Sequence, residues 1–506
     1  MNILFPILIG LILRLINISM PILGVHSWRQ SDTAAMARHF ALNNTPIWQP
    51  EIDWRGAGEG FVESEFPLFP YLVSQFYNLF GIHEVFGRGL SIAFSLLTIF
   101  LLIKIVEELF DPLSAWWSGL FFAILPLPVF YGRTFQAESL LLFLSVLSIE
   151  RLIAWEKNHH NFSLVISWLS FSFSCLIKVL PFLWLGIPLA VIHLTYQLNL
   201  DDLKSNNYFN KILNRAFKSY GLWIFASLSL LLTFIWFYHA YSLGQTTGLT
   251  FGFWGKSSNR SSISLLFDFR IWVDLFIRLI VRNLGIFGLP ILLLGIFHSS
   301  VSRGKYFIYS GFISMLVVTA FAIRSSSIHE YYQLPLQIFL CISMGLGMTY
   351  IKQFISNNNL NITFYFMPVA VVFICSLIIL RFDYFAKEDN QLDIWYPLAN
   401  RINQEAPIGS LIVSVTGMDP TLLNLSRRQG WLTAPENITQ SKIEQWYLSG
   451  ASHIVGSLFW LETYNKMSYK NREIILKNII CLNKDTSLCS NVNSSTYVVK
   501  IRDLID

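Results

Sequence analysis

The sequence predicts a polytopic α-helical membrane protein (about 11 spans) with a C-terminal soluble α/β domain. Three observations carry that reading. Hydrophobic residues make up 54% of the 506 positions, Phe alone occurs 43 times, and mean hydropathy is +0.50, far from a soluble globular composition. Apolar runs of bilayer-crossing length, about 20 residues each, recur as far as Phe382. Beyond that point polar and apolar residues mix with the periodicity of an ordinary soluble fold.

Residues 3–23 are the first span. No basic region precedes the apolar stretch, Arg14 follows it, and no small-x-small cleavage site is seen, so a retained helix is expected. Further spans are expected at 86–106, 113–131, 135–154, 162–177, 180–198, 220–242, 274–297, 306–323, 331–350 and 361–382. Lys178 and Pro181 interrupt the stretch 162–198, which is either a tight hairpin or a broken helix. The aromatic-rich segment Phe66–Phe80 is too short to span and is expected to lie along the interface. In the tail, Leu411–Thr416 reads as a buried strand followed by a turn and a short helix; residues 438–449 are helical, and Ser452–Gly456 is a second strand. The expected division is therefore a membrane-embedded domain over 1–382, including a loop at 24–85, and a soluble domain over 383–506.

Threading the chain through these spans puts Arg151, Lys157, Arg215, Lys218, Arg303, Lys305 and Lys352 on one side, cytoplasmic by the positive-inside rule. The 24–85 loop, the turn Arg133–Glu138, the loop 243–270, the turn Arg324–Glu330 and the C-terminal domain then share the outer face. A formal net charge of +5 spread over loops suits membrane orientation and anionic lipid, not nucleic acid. Of five cysteines, Cys175, Cys341 and Cys375 lie in apolar runs, and only Cys481 and Cys489 are placed to form a disulfide.

Only 13% of residues are charged, so acids and arginines gathered in one non-membrane loop are candidates for chemistry. The loop reads His26-Ser27-Trp28-Arg29-Gln30-Ser31-Asp32, continues through Ala34, Ala35, Ala37 and Arg38, and reaches Glu63-Ser64-Glu65-Phe66-Pro67. Asp32 is either a helix N-cap or a general base. Its predicted neighbours on the same face are Arg29, Glu63, Glu65 and Glu138, and an arginine suits phosphate oxygens. Glu138 opens a span, where a carboxylate also favours the helix dipole. His329-Glu330-Tyr331-Tyr332 begins another span; its tyrosines are belt anchors or contacts to a lipid phosphate or sugar. Lys178, bounded by apolar residues, either snorkels or meets an anion. There is no Cys/His metal spacing and no Gly-rich nucleotide loop; clustered acids could hold a hard divalent cation, although nothing in their spacing demands one.

Taken in order, His26–Tyr71, Arg88, Arg133–Glu138, Lys178 and His329–Pro335 resemble the GT-C class of integral-membrane glycosyltransferases, in the branch of protein O-mannosyltransferases and aminoarabinose transferases. The resemblance implies an inverting enzyme of the plasma membrane that takes a sugar from a polyprenyl-phosphate carrier and passes it to a lipid, glycan or protein hydroxyl. It further implies Asp32 as the base, Arg29, Arg133, Lys178, His329 and Tyr331 toward the donor phosphate, and Glu65 and Glu138 toward the sugar. Two departures stand out: aligned on Ala34–Arg38, the usual Asp-Glu pair falls on Arg29-Gln30, and the basic residue after the Glu65 equivalent is Phe66. A transporter or flippase of a lipid-linked saccharide is the alternative, weakened by charges that cluster at span ends and by the lack of repeated halves.

Overall fold

The computed structural model describes residues 2–198, 208–251, 263–298, 302–463, 468–475, 479 and 496–505. The chain is mostly helical and divides into two compact units, one of residues 1–18, 88–240 and 252–383, the other of 19–87, 241–251 and 384–506.

In the first unit every apolar run of the sequence is helical, but the runs are cut differently from the eleven expected. Among the described residues five helices are long and apolar enough to cross a membrane: Glu84–Leu109, Tyr220–Thr247, Arg303–Phe321, Leu336–Asn357 and Thr363–Glu405. The pair Phe269–Asn283 and Gly288–His298, bent by 95°, would be a sixth. Leu4–Leu15 (α1), Pro112–Ile124, Asn161–Ile177 and Pro181–Tyr196 are shorter. Proline explains one of the cuts. Leu125, preceding Pro126, is extended (φ −67°, ψ 144°), and a new helix starts at Pro126, as the clash between a proline ring and the preceding residue requires. Lys178 is likewise extended (φ −150°, ψ 142°), and beyond it the chain turns back, Phe182 meeting the Phe171 ring and Gly186 lying against the same ring, so the stretch 162–198 is a hairpin.

The break at Pro126 is repaired from α1. Pro126 has no N–H to offer the Phe122 carbonyl four residues earlier, and Arg14 supplies one, its Nη2 lying 3.2 Å from that oxygen. The same guanidinium reaches the carbonyls of Gly10, Ala123 and Pro128, and Nε donates to Ser95 Oγ. A wholly buried cation is thereby satisfied by oxygens alone. Elsewhere, helices 288–298 and 336–357 touch backbone to backbone. A Cβ on Gly295 would sit 1.7 Å from the Ser343 carbonyl oxygen, and one on Gly347 2.0 Å from that of Ile291, the small-residue contact that membrane helices favour.

The second unit is built on a four-stranded sheet of order β2-β1-β3-β4, with β1 (Leu411–Val415), β2 (Gln429–Leu432), β3 (Ala451–Ser457) and β4 (Thr496–Lys500). β1 runs parallel to β2 and β3, and β4 is antiparallel to β3. The sequence picks out β1 and β3, whose apolar runs are buried, and passes over the short or polar β2 and β4. Cys481 and Cys489 lie outside the described residues.

Residues 24–85 pack in this second unit, with the C-terminal sheet. Gly430 N–H donates to the Asp53 carbonyl at 3.0 Å and Gly56 N–H to the Gly430 carbonyl at 2.7 Å, so the loop covers the β2 edge that would otherwise stand open. Gly24 N–H donates to Gln391 Oε1, and Leu23 belongs to the same apolar core as Trp395, Ile412 and Val455. Two helices stand out from the loop: Ser27–Asn43 (α2) and Leu68–Phe80 (α3). α3 buries Phe69, Val73 and Tyr77 at four-residue spacing and leaves Phe76, Leu79 and Phe80 exposed, an amphipathic pattern.

Candidate functional site

Two groups of charged residues stand out, one in each unit. In the second unit α2 begins at Ser27, after His26 in the left-handed region (φ 55°), five residues before Asp32. Asp32 is therefore inside the helix and not its N-cap. Its side chain turns inward, only 5% exposed, and Oδ1 accepts a hydrogen bond from Trp54 Nε1 at 2.9 Å. Burial is the main influence on this carboxyl and pushes it up to about 8; the Trp54 bond and Arg29 pull against that, while Asp53 and Asp419 add to it. A carboxyl in that range is matched to proton transfer near neutral pH. Arg29, one turn earlier on the same face, is ion-paired to Glu65.

The far end of α2 is fixed by a network that the sequence does not reveal. Arg38 is ion-paired to Asp53 and donates to Asn424 Oδ1 at 2.8 Å; His39 Nε2 lies 2.9 Å from Asp53 Oδ1. Burial alone would raise the Asp53 carboxyl, but Arg38 and His39 together bring it down to about 2. Asn424 is 3% exposed and engaged by Arg38, although it heads an Asn-Leu-Ser sequon. Glu63, also buried, takes a hydrogen bond from the Thr250 hydroxyl, and its N–H donates to the Leu249 carbonyl at 3.0 Å.

In the first unit Lys178 meets Glu138 at 2.6 Å, and its ammonium lies 4.5 Å from the Tyr331 ring centre and 5.5 Å from that of Tyr332. The pair lines a narrow cleft with Leu141, Trp184, Val318 and Pro335. His329 stacks on Tyr331 with rings 5.3 Å apart and 7° from parallel. A cation held by one carboxylate and two aromatic faces in an apolar wall is a ready counter-charge for an anion. Beside it, Tyr131 donates to Glu330 Oε1 at 2.9 Å, and Arg282 is ion-paired to the same carboxylate. Arg282 belongs to a π-helical turn, Leu279–Asn283, of the kind that interrupts helices at functional positions.

The structure thus brings Glu138, Lys178, His329 and Tyr331 together, and Arg29, Asp32 and Glu65 together. Arg133 is spent differently. It is 1% exposed, Nη1 donates to the Ile16 carbonyl at 3.0 Å, and the guanidinium lies over the Phe130 ring, so it ties the end of α1 to the helix at 126–131. Trp54, Asp53 and Arg282 escaped the sequence reading. Only Arg282 carried a signal there, one of two arginines, with Arg278, in the apolar run 274–297. Among the described residues no three His, Cys, Asp or Glu side chains converge as a metal centre would need.

Residues 64–203 match the family described as dolichyl-phosphate-mannose-protein mannosyltransferase. The fold is similar to that of ArnT from Cupriavidus metallidurans in the apo state, with a TM-score of 0.62 at 14% identity over 92% of this chain and 94% of that one. ArnT bound to undecaprenyl phosphate gives 0.59 at 14% identity, covering 92% and 95%. The archaeal oligosaccharyltransferase AglB from Archaeoglobus fulgidus, in complex with an inhibitory peptide and a dolichol-phosphate, gives 0.53 at 12% identity, covering 92% of this chain and 70% of that one. No curated protein matches the chain. The chain thus shares the fold of ArnT and AglB, and its residues 64–203 are similar to the mannosyltransferase family.

Proposed function

We propose that this protein is an inverting glycosyltransferase of the plasma membrane, moving a sugar from a polyprenyl-phosphate carrier to a hydroxyl acceptor on the outer face. The observation that supports it most directly is Lys178, a cation held in an apolar cleft by Glu138 and the faces of Tyr331 and Tyr332. Such a cation suits a phosphate whose tail is hydrocarbon. ArnT, which shares the fold, has been described with undecaprenyl phosphate bound. An odd number of crossings from a cytoplasmic amino terminus would set both charged groups and the C-terminal domain outside the cytoplasm, and the donor chemistry would be bacterial.

The chemistry asks little beyond positioning and charge. The acceptor oxygen bonds to the anomeric carbon from the face opposite the phosphate and loses its proton to Asp32. The bond from that carbon to the phosphate oxygen breaks, and the polyprenyl phosphate departs with the electron pair. Lys178 neutralises the added charge, His329 and Tyr331 bound the phosphate, and Glu138 holds Lys178 in place. Arg29 and Glu65, paired next to Asp32, orient the reacting groups, while Arg133 acts through the fold. Transfer of radiolabelled sugar from a polyprenyl-phosphate donor in reconstituted vesicles tests the reading. Consumption of the donor by the wild type supports it; movement of the intact donor across the bilayer without consumption replaces it with a transporter.

A further inference from the structure

Helix 138–158 carries Glu138 at one end and, about 25 Å away at 1.5 Å per residue, Trp155 and Glu156 at the other. That second end borders an apolar cavity of about 390 Å³ that no step above uses. Its walls include Trp155, Trp168, Phe171, Leu189, Gly221 and Phe225, from four helices, and its size is that of a small-ligand site. The cavity is braced by polar contacts of His193, which stands in its wall. His193 is ion-paired to Glu156, its Nε2 lies 2.9 Å from Ser219 Oγ and 2.8 Å from Gln197 Nε2, and Trp155 stacks on its ring. These bonds pin helices 138–158 and 186–196 to each other and to Ser219, the residue before helix 220–247, so the space between them does not collapse.

Directly before the groove's mouth at Gly221 runs helix Tyr208–Lys218. Lys211, Arg215 and Lys218 recur on it at four- and three-residue spacing, one helical face, and Arg215 and Lys218 are exposed. Its other side presents Leu213 and Phe217, both exposed, and Tyr220 and Trp223 continue that apolar surface. Trp223 Nε1 donates back to the Ala216 carbonyl at 3.0 Å, which keeps the basic helix against the start of helix 220–247. Arg303, over the Tyr196 ring and bonded to the Thr195 carbonyl, adds a further positive charge at the end of helix 186–196. A basic amphipathic helix flanked by Trp and Tyr is the pattern of a segment lying in a lipid headgroup layer.

We propose that this groove binds an anionic phospholipid, one acyl chain lying between Trp155, Trp168 and Phe225 and the phosphate meeting the basic face of helix 208–218. The charge at the mouth selects the headgroup and the apolar walls take the chain. The inference rests on the chain's being embedded in a membrane and not on the sugar transfer, so each can fail alone.

Gly221 provides the test, because a Cβ there would meet nothing within 4 Å. Gly221→Trp therefore starts its side chain from a position with room for a Cβ, at the lining of the groove and in a helix that glycine weakens. The purified full-length protein, stripped of lipid in detergent, is titrated with phosphatidylglycerol and with phosphatidylcholine of the same chains, and adducts are counted by native mass spectrometry. The expected result is one phosphatidylglycerol adduct at least about tenfold tighter than phosphatidylcholine, lost in Gly221→Trp at an unchanged melting temperature. Lys211→Gln, Arg215→Gln and Lys218→Gln together should bring the two lipids within about threefold of each other. Equal binding of both lipids to the wild type, or an adduct that survives Gly221→Trp, overturns the proposal. A dimer that Gly221→Trp dissociates overturns it as well, by giving the groove to a second copy of the chain.

Discussion

Asp32→Asn separates the chemistry of Asp32 from its place in the fold. Asn keeps an oxygen where Trp54 Nε1 donates at 2.9 Å, so the packing of the second unit survives while the proton acceptor is lost. Loss of a general base costs about 10²- to 10⁴-fold in turnover, and donor binding should change little, because the base acts in the transition state. With the wild-type carboxyl pushed up to about 8 by burial, about a tenth of it is ionised at pH 7 and about nine-tenths at pH 9. Wild-type turnover at low donor concentration should therefore rise about tenfold over that interval and level off above it. Stability moves the other way. The unfolded carboxyl ionises near 3.8 and the folded one near 8, so between those values the folded state binds the extra proton and stability falls as pH rises. Asp32→Asn abolishes that slope, and the variant should melt at the higher temperature by pH 8. Turnover measured with radiolabelled polyprenyl-phosphate sugar and melting followed in detergent supply the two readings. Near-normal turnover in Asp32→Asn refutes Asp32 as the base and moves attention to Glu63 or Glu65. Turnover that is flat from pH 7 to 9 refutes the claim that its ionisation limits the reaction.

Lys178→Ala should weaken donor binding about ten- to hundredfold, the worth of a charge-assisted contact, and also destabilise the protein by stranding Glu138. Adding Glu138→Gln should restore the melting temperature without restoring donor affinity, which a purely structural Lys178 would not do. Asp53→Asn leaves Arg38 buried without its counter-charge and should cost about 3–5 kcal/mol in unfolding experiments. Since Arg38 and His39 draw the Asp53 carboxyl down to about 2, the stability it lends is present above about pH 4 and is lost as pH falls toward 2, a loss the variant should not show. Gly347→Ala would put a methyl group 2.0 Å from the Ile291 carbonyl oxygen; it should push helices 288–298 and 336–357 apart and lower stability by about 1–3 kcal/mol or more, read as a drop in melting temperature.

What the sequence made legible was whatever depends on composition along the chain. Apolar runs became helices, and strands β1 and β3 appeared where Leu411–Val415 and Ala451–Ser457 are almost wholly buried. Where those helices are cut was less legible, since the cut after Ile124 works only because Arg14, more than a hundred residues away, meets the carbonyl that Pro126 leaves bare. Hydropathy averages over a window and cannot register such a partner. β4 depends in the same way on pairing with β3, and β2 on being covered by residues 53–56.

The candidate site divides along the same line. Lys178 and Glu138 were legible because a charge at the end of an apolar run has few places to go, and the cheapest is an opposite charge. Asp53 gave no signal in its loop of Trp and Gly residues, yet the Arg38–Asp53–His39 network locks α2 in its orientation. That makes the two acids of α2's surroundings a matched pair with opposite fates. Asp53 has a cation and an imidazole within bonding distance and stays ionised, as a structural anion must. Asp32 has an indole N–H and a cation already engaged by Glu65, so burial prevails and its carboxyl holds a proton near neutral pH. A folding role alone would favour giving Asp32 the kind of partner that Asp53 has. Its being left with a single neutral hydrogen bond, at a cost to stability that rises with pH, fits the proton-accepting role proposed for it.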